Sequence, residues 1–310
     1  MALRFFEELL IAPKGYHYPL IVVLLPLSLL YGTLMLLRRL VTPKKDFGLP
    51  IISVGNLIVG GSGKTPFIIA VASNYSEVCI ISRGYGRQSK GLIEVSVQGT
   101  LLTNVTQSGD EAMLLAQSLP NASVIVSEDR TEAIQKAKQK GAKIIFLDDG
   151  FNRVEIKKFE ILLEPLTLKN ILPLPAGGFR EFAFTGLFAN KVLREGKSFW
   201  RYVDFENLSP KMLLVTAISN PSRLKPYLPS GVVGEMIFAD HAYFDEEKIK
   251  AKMQELGASS LLVTAKDYVK LEQCGLPLSL MKLELNIEPQ TLKAIDTYIH
   301  EFQKSLTTQT

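Results

Sequence analysis

From Asp46 onward the apolar residues fall into short runs that close on turn chemistry, separated by stretches with helical spacing. The runs "LPIISVG", "EVCIISRGYG", "ASVIVSE", "AKIIFLDDG" and "FEILLEP" predict strands. Between them "TPFIIAVASNY", "DEAMLLAQSL" with its acidic first turn, and residues 130–140 predict helices. Near-continuous apolar strands alternating with helices imply a parallel sheet covered on both faces. Residues 194–210 turn mixed polar and aromatic, which predicts a linker or small hairpin. A second alternation follows. Its strands lie in "KMLLVTAIS", "GVVGEMIF", "SSLLVTAKD" and "LMKLELNI", with helices at 246–256 and 289–305.

The first forty residues follow a different pattern. Residues 15–37 carry no formal charge, and at ~1.5 Å per helical residue they are long enough to cross a hydrocarbon layer of ~30 Å. A signal peptide would be shorter and end in small residues, whereas this run ends in Arg38 and Arg39. A buried core helix is the bland alternative. Pro19 and Pro26 would bend a helix, so a kinked span and an interfacial insertion both fit. Arg38, Arg39, Lys44 and Lys45 would place the downstream chain in the cytoplasm.

Composition narrows the class. With 47% hydrophobic and 21% charged residues over 310, the chain can bury a core, and its length suggests more than one domain. A formal net charge of +4 with acids and bases intermixed gives no argument for a nucleic-acid partner. Cys79 and Cys274 have no metal or disulfide spacing and suit a reducing compartment.

One stretch carries chemistry directly. "GNLIVGGSGKTP" (55–66) joins a predicted strand to a predicted helix, the context in which glycines expose backbone N–H groups to phosphate. Lys64 would reach the β and γ phosphates, and the Thr65 hydroxyl would hold Mg²⁺. Ile58 stands where the usual pattern has a glycine. A second strand closes on Asp148 and Asp149, an acidic pair at the sheet edge where open α/β folds bind ligands. No Asn-Lys-x-Asp signature is present, so ATP is favoured over GTP. The expected fold is thus a P-loop α/β parallel sheet flanked by helices (41–200), a smaller second α/β domain (201–310) and an N-terminal membrane helix (1–40).

Further polar clusters sit at strand ends or helix starts: "SRGYGRQSKG" from Ser82, "SGDEA" from Ser108, "SEDR" from Ser127, "LPAGGFRE" from Leu174 and "DHAYF" from Asp240. Each has a bland reading. Asp110 and Glu111 suit any helix N-terminus, and Arg83 and Arg87 could simply face solvent. Together, the motifs resemble the tetraacyldisaccharide 4'-kinases of lipid A biosynthesis from end to end: GNxxxGGxGKTP, RGYxR, GDE, DR, LDDGF, LPAGxxRE, F-x-DH and T-x-KD.

That resemblance implies transfer of the ATP γ-phosphoryl to the 4'-hydroxyl of an acylated glucosamine disaccharide 1-phosphate. It implies Asp110 as the residue that takes or orients the hydroxyl proton, His241 as its support and Lys64 as the phosphate-binding lysine. ATP contacts would come from Ile58, Val59, Gly60, Gly61, Ser62, Gly63, Lys64, Thr65 and Arg180. Thr65, Asp148, Asp149 and Glu111 would serve Mg²⁺, and Arg83, Tyr85, Arg87 and Arg130 the lipid substrate, with Lys90 beside them. His241 would be brought over the P-loop domain by the second domain, in an enzyme expected to be monomeric and membrane-bound. The chain departs from the family where Gln-His and Arg-Asp usually follow LDDGF. Here "NRVEIKKFE" (152–160) stands instead, so no role of that histidine transfers. A membrane-tethered P-loop ATPase acting as a conformational switch is the alternative reading.

Overall fold

The computed structural model describes residues 2–58, 63–164 and 169–308. Along the chain run α1 (Ala2–Ile11), α2 (Tyr18–Val41), β1 (Ile51–Gly55), α3 (Lys64–Ala72), β2 (Val78–Ser82), β3 (Ile93–Val97) and β4 (Thr100–Leu101). Next come a one-turn α4 (Val105–Ser108), α5 (Asp110–Ser118), β5 (Ser123–Val126), α6 (Arg130–Gln139), β6 (Ile144–Asp148), β7 (Phe159–Glu164) and β8 (Lys191–Arg194). The last part holds β9 (Phe199–Glu206), β10 (Met212–Thr216), β11 (Val232–Ile237), α7 (Glu246–Leu256), β12 (Ser260–Thr264), α8 (Ala265–Leu271), β13 (Leu278–Ile287) and α9 (Pro289–Thr307).

Two compact units divide the chain: Met1–Lys64 with Lys143–Trp200 and Ile287–Thr310, and Thr65–Ala142 with Arg201–Asn286. In the first, strands run in the order β6-β1-β7-β8, all parallel. Ser53 of β1 stands between Leu147 of β6 and Glu160 of β7. Every residue of β1 and β6 is buried, which is why these strands read as unbroken apolar runs rather than alternating ones.

The second unit holds the order β4-β3-β5-β2, with β2 and β5 parallel and β3 antiparallel to β5 and β4. It also holds a five-stranded sheet, β11-β10-β12-β13-β9, with β10, β11, β12 and β13 parallel. Leu213, Val215, Leu261 and Val263 bury one face of that sheet with Ile249 of α7, and Met212, Leu214, Leu262 and Met281 bury the other. The large parallel sheet with flanking helices and a second α/β sheet match the expected fold class. The region expected to be a linker or hairpin, residues 194–210, begins at the last residue of β8 and supplies β9.

Helix α2 is continuous through Pro26, while Pro19 sits in its first turn, where the missing N–H costs nothing. Within Gly15–Val41 an 18-residue window reaches a mean hydropathy of 2.5, so this segment is long and apolar enough to cross a membrane. One stripe of α2 is nevertheless occupied by protein. Ile21 packs with Leu9 and Ala176, and the Ser28 hydroxyl donates to the Pro173 carbonyl at 2.6 Å. Gly32 faces Phe182 so closely that a Cβ would lie 2.7 Å from its ring. Val22, Val23, Leu27, Leu30, Leu34 and Leu37 on the other faces are exposed.

Candidate active site

Two groups of charged residues stand out. In the first unit, the buried strands β1 and β6 end side by side at Val54 and Asp148. Asp149 then turns out of β6 with φ 55°, its N–H donating to the Val54 carbonyl at 2.9 Å. A left-handed backbone at a non-glycine residue is uncommon and is held here by surrounding structure. The segment carrying "LPAGGFRE" lies against the start of the glycine stretch: Phe179 bridges Ile58, and the Arg180 N–H donates to the Leu57 carbonyl at 2.8 Å. This pairing aims Arg180 at Asp149, with Nη1 2.6 Å from Oδ2. The Lys64 ammonium faces Asp149 Oδ1 at 3.6 Å and Asn56 Oδ1 at 3.5 Å. Two cations and a carboxylate therefore converge at one strand end. Val59, Gly60, Gly61 and Ser62 lie outside the described residues.

The second group is in the second unit. Gly109 precedes α5 with φ 83°, and a Cβ there would lie 2.7 Å from the Tyr85 carbonyl, so only glycine lets the 83–87 loop approach. Asp110, the first residue of α5, is 4% exposed. Its Oδ1 accepts from the Glu111 N–H at 2.9 Å. His241 Nδ1 lies 2.9 and 3.0 Å from the two Asp110 oxygens. His241 itself has φ 61°, and its ring sits 4.9 Å from that of the exposed Tyr85. Lys270 Nζ is 3.4 Å and Lys266 Nζ 3.8 Å from Asp110 Oδ2. Burial alone would push the Asp110 carboxyl up. The His241 hydrogen bond and the ammonium groups of Lys266 and Lys270 outweigh it and hold the group below the usual aspartate value. A small cleft lined by Tyr85, Gly86, Asp110, His241, Tyr243 and Lys270 opens at this point.

Both groups suit phosphoryl transfer: the first to grip phosphate oxygens, the second to hold an ionised acceptor carboxylate. A tetraacyldisaccharide 4'-kinase of Helicobacter pylori strain HPAG1 is 47% identical over 298 residues, covering 96% of this chain and 94% of that one. Another, from Aliarcobacter butzleri strain RM4018, is 46% identical over 307 residues, covering 96% and 97%. The profile of the tetraacyldisaccharide-1-P 4'-kinase family, LpxK, matches residues 20–201 and 188–300. The chain belongs to this 4'-kinase family. The crystal structure of LpxK from Aquifex aeolicus in complex with ATP is similar at a TM-score of 0.76 and 28% identity, over 91% of this chain and 99% of that one.

Other motif residues of the 4'-kinase family resemblance fall in varied surroundings. Asp148 is buried at the end of β6, and Thr65 is buried in the first turn of α3. Glu111 is 3.7 Å from Lys266. Among the described residues no group of three or more His, Cys, Asp or Glu is placed to hold a metal ion. Arg83 is exposed. The Arg87 side chain is only 2% exposed and spans Glu128 at 2.6 Å and the Gly91 carbonyl at 2.7 Å. Arg130 is buried at the start of α6, where Nη1 donates to the Ser127 carbonyl. Sequence reasoning missed Asn56, Lys266 and Lys270. The first two lie within quoted motifs, and Lys270 follows Lys266 by one helical turn.

Proposed function

We propose that this chain transfers the γ-phosphoryl group of ATP to the 4'-hydroxyl of a tetraacylated glucosamine disaccharide 1-phosphate, the reaction for which its family is named. The observation that carries this reading is the Asp110–His241 pair at 2.9 Å. An ionised Asp110 can only accept, so His241 Nδ1 donates and the carboxylate is oriented for an incoming hydroxyl. The sugar oxygen attacks the γ phosphorus, the bond to the β–γ bridging oxygen breaks, ADP leaves, and the hydroxyl proton passes to Asp110. Such a loose transition state needs orientation and charge neutralisation more than a strong base, so a carboxylate held ionised suffices.

Lys64 and Arg180 would hold the phosphate oxygens, with Asp149 aligning both cations. Mg²⁺ fits the donor set: Asp148, Asp149 and the Thr65 hydroxyl offer the hard oxygens it takes when phosphates complete its shell. Bound there, it would neutralise charge on the β and γ phosphates. Tyr85 and Arg83, both exposed, are the best placed of the proposed contacts to the sugar and its phosphate. Arg87 and Arg130 would act by holding their loops.

The lipid acceptor calls for a membrane surface, and α2 supplies one. Its protein-facing stripe runs from Ile21 to Arg39, a rise of about 27 Å at ~1.5 Å per residue. A helix attached to its own domain over that length lies along the interface rather than across the bilayer. Seating at the cytoplasmic face of the bacterial inner membrane accords with Arg38, Lys44 and Lys45 beyond the helix and with free Cys79 and Cys274. The test uses purified protein, γ-labelled ATP and Mg²⁺, with and without the acylated disaccharide 1-phosphate. Label should move to the lipid. Release of inorganic phosphate alone, equal in both tubes, would establish a P-loop ATPase instead.

A further inference from the structure

Helix α8 has a buried anchor. Asp267, with no exposed surface, accepts from the Thr264 and Thr216 hydroxyls at 2.7 Å each and from the Ala217 N–H at 3.0 Å. The Ala217 carbonyl in turn accepts from the His241 N–H at 3.2 Å. One residue at the end of β10 thus fixes both the first turn of α8 and the backbone of His241. On that frame Lys266 and Lys270, four residues apart and so on one face, point at the Asp110–His241 pair.

Lys270 is 3% exposed, with Nζ 3.1 Å from the Ala242 carbonyl, 3.4 Å from Asp110 Oδ2 and 3.8 Å from Asp267 Oδ1, and 4.9 Å from the Phe244 ring. Lys266 Nζ is 3.2 Å from Asp240 Oδ1, 3.7 Å from Glu111, 3.8 Å from Asp110 and 3.4 Å from His241 Nε2. The carboxylates of Asp240, Glu111 and Asp110 ion-pair with the Lys266 ammonium, which therefore meets Nε2 as a donor. An ammonium has no lone pair to offer. The Asp240 carboxylate also faces Nε2, but its Oδ2 is 3.6 Å away against 3.4 Å for Lys266 Nζ, so Nε2 acts as the acceptor and the ring proton stays on Nδ1, facing Asp110.

We propose that Lys266 and Lys270 are positioning residues of the phosphoryl-transfer site: Lys266 occupies Nε2 and fixes His241 as the Nδ1–H tautomer, and Lys270 fixes the Asp110 carboxylate. With its Nε2 lone pair taken, His241 accepts no proton from the sugar hydroxyl, which leaves that role to Asp110. This deepens the kinase reading and rests on it. Neither lysine belongs to the nucleotide cluster, so both act on acceptor positioning alone.

The test uses the full chain in detergent micelles. Long-range ¹H–¹⁵N spectra of histidine-labelled protein resolve the three imidazoles, with His17 and His300 assigned by substitution. Wild type should show a protonated Nδ1 and a lone-pair Nε2 at His241. Lys266→Met should shift that signature and lower kcat by about 10- to 100-fold, the cost of misplacing a catalytic group, with ATP affinity unchanged. Lys266→Arg, which keeps a donor, should recover most of both. Lys270→Met should lower kcat while leaving the His241 signature in place. Thermal melts and ATP titration separate these effects from misfolding; if Lys270→Met fails to fold, Lys266→Met and Lys266→Arg still decide. A wild-type His241 protonated at Nε2, or Lys266→Met with unaltered kcat, overturns the inference. A wild type that never labels the lipid overturns the kinase reading, while the spectra still decide the tautomer.

Discussion

Arg39 and Glu181 form a two-point ion pair in which Nε and Nη2 reach the two carboxylate oxygens at 2.8 and 2.7 Å, with side chains 7% and 4% exposed. The same guanidinium donates to the Phe151 carbonyl at 3.0 Å and lies 4.0 Å over the Phe151 ring. Glu181 directly follows Arg180, and Phe151 follows Asp149 by two residues. The last turn of the apolar helix is thereby tied to both segments that carry the phosphate-facing charges. Arg39→Met should cost about 3–5 kcal/mol, the usual result of stranding one buried charge, measured by urea unfolding. The Arg39→Met/Glu181→Met double variant should recover part of that loss. A single-variant cost below about 1 kcal/mol would contradict the buried pairing.

Lys64→Ala and Asp110→Ala should separate binding from chemistry. The first removes a cation aimed at phosphate and should lower turnover by about 10²- to 10³-fold while weakening ATP binding. The second should lower turnover by about 10²- to 10⁴-fold with ATP affinity intact. Isothermal titration with a nonhydrolysable ATP analogue, set beside steady-state kinetics, checks the split. Equal loss of affinity in both variants would contradict a phosphate-binding Lys64 and an acceptor-side Asp110.

The two faces of α2 should respond differently to substitution. Leu30→Asp with Leu34→Asp alters exposed positions, so the melting temperature should hold while flotation with phospholipid vesicles is lost. Gly32→Leu instead collides with Phe182 and should lower stability by about 1–3 kcal/mol. Deleting residues 1–40 is a poor test of membrane binding, because it also strands Glu181 and opens the Leu9–Ala176 contact.

Cys79 and Cys274 should differ in reactivity. Burial, with the charge of Glu94, pushes the Cys79 thiol from 9.0 up to about 12, whereas Cys274 is half-buried. At pH 8 iodoacetamide should modify Cys274 alone, and both only in denaturant. Between pH 9.0 and about 12 the folded chain keeps a proton that the unfolded chain releases, so stability from this group falls as pH rises. Cys79→Val should flatten that part of the pH dependence of the urea midpoint. An unchanged slope would count against the shift.

The strands were legible where burial on both faces makes them continuously apolar, as in β1, β2, β6, β10 and β12. The β3–β4 hairpin was not, because its turn is Gln98-Gly99, both at positive φ, instead of the Asn-Gly or Asp-Gly pair that signals such turns. Helix α8 was hidden in the tail of a strand-like run: Thr264 ends β12 and also caps α8, accepting from the Asp267 N–H at 3.2 Å. Pro26 argued for a bend or a break, yet the helix continues.

The site was legible in parts. Spacing alone identified the Gly-Lys-Thr stretch and the acidic strand end, because both belong to short local motifs. Asp110 and His241 lie 131 residues apart, and only the family resemblance joined them. Arg87 reads as a solvated arginine, whereas its side chain is enclosed and spent on Glu128. Sequence could not tell Lys270 from any other helical lysine, since its significance comes from the Asp267 anchor beneath it.

Seated on a membrane by the exposed flank of α2, as proposed, the protein would work in two dimensions. Its encounters would then be governed by how crowded the lipid acceptor is within the surface film, not by molarity in the tube. At constant bulk amounts of enzyme, nucleotide and acceptor, added inert detergent should therefore slow turnover by surface dilution, and raising the mole fraction of acceptor in each micelle should restore it.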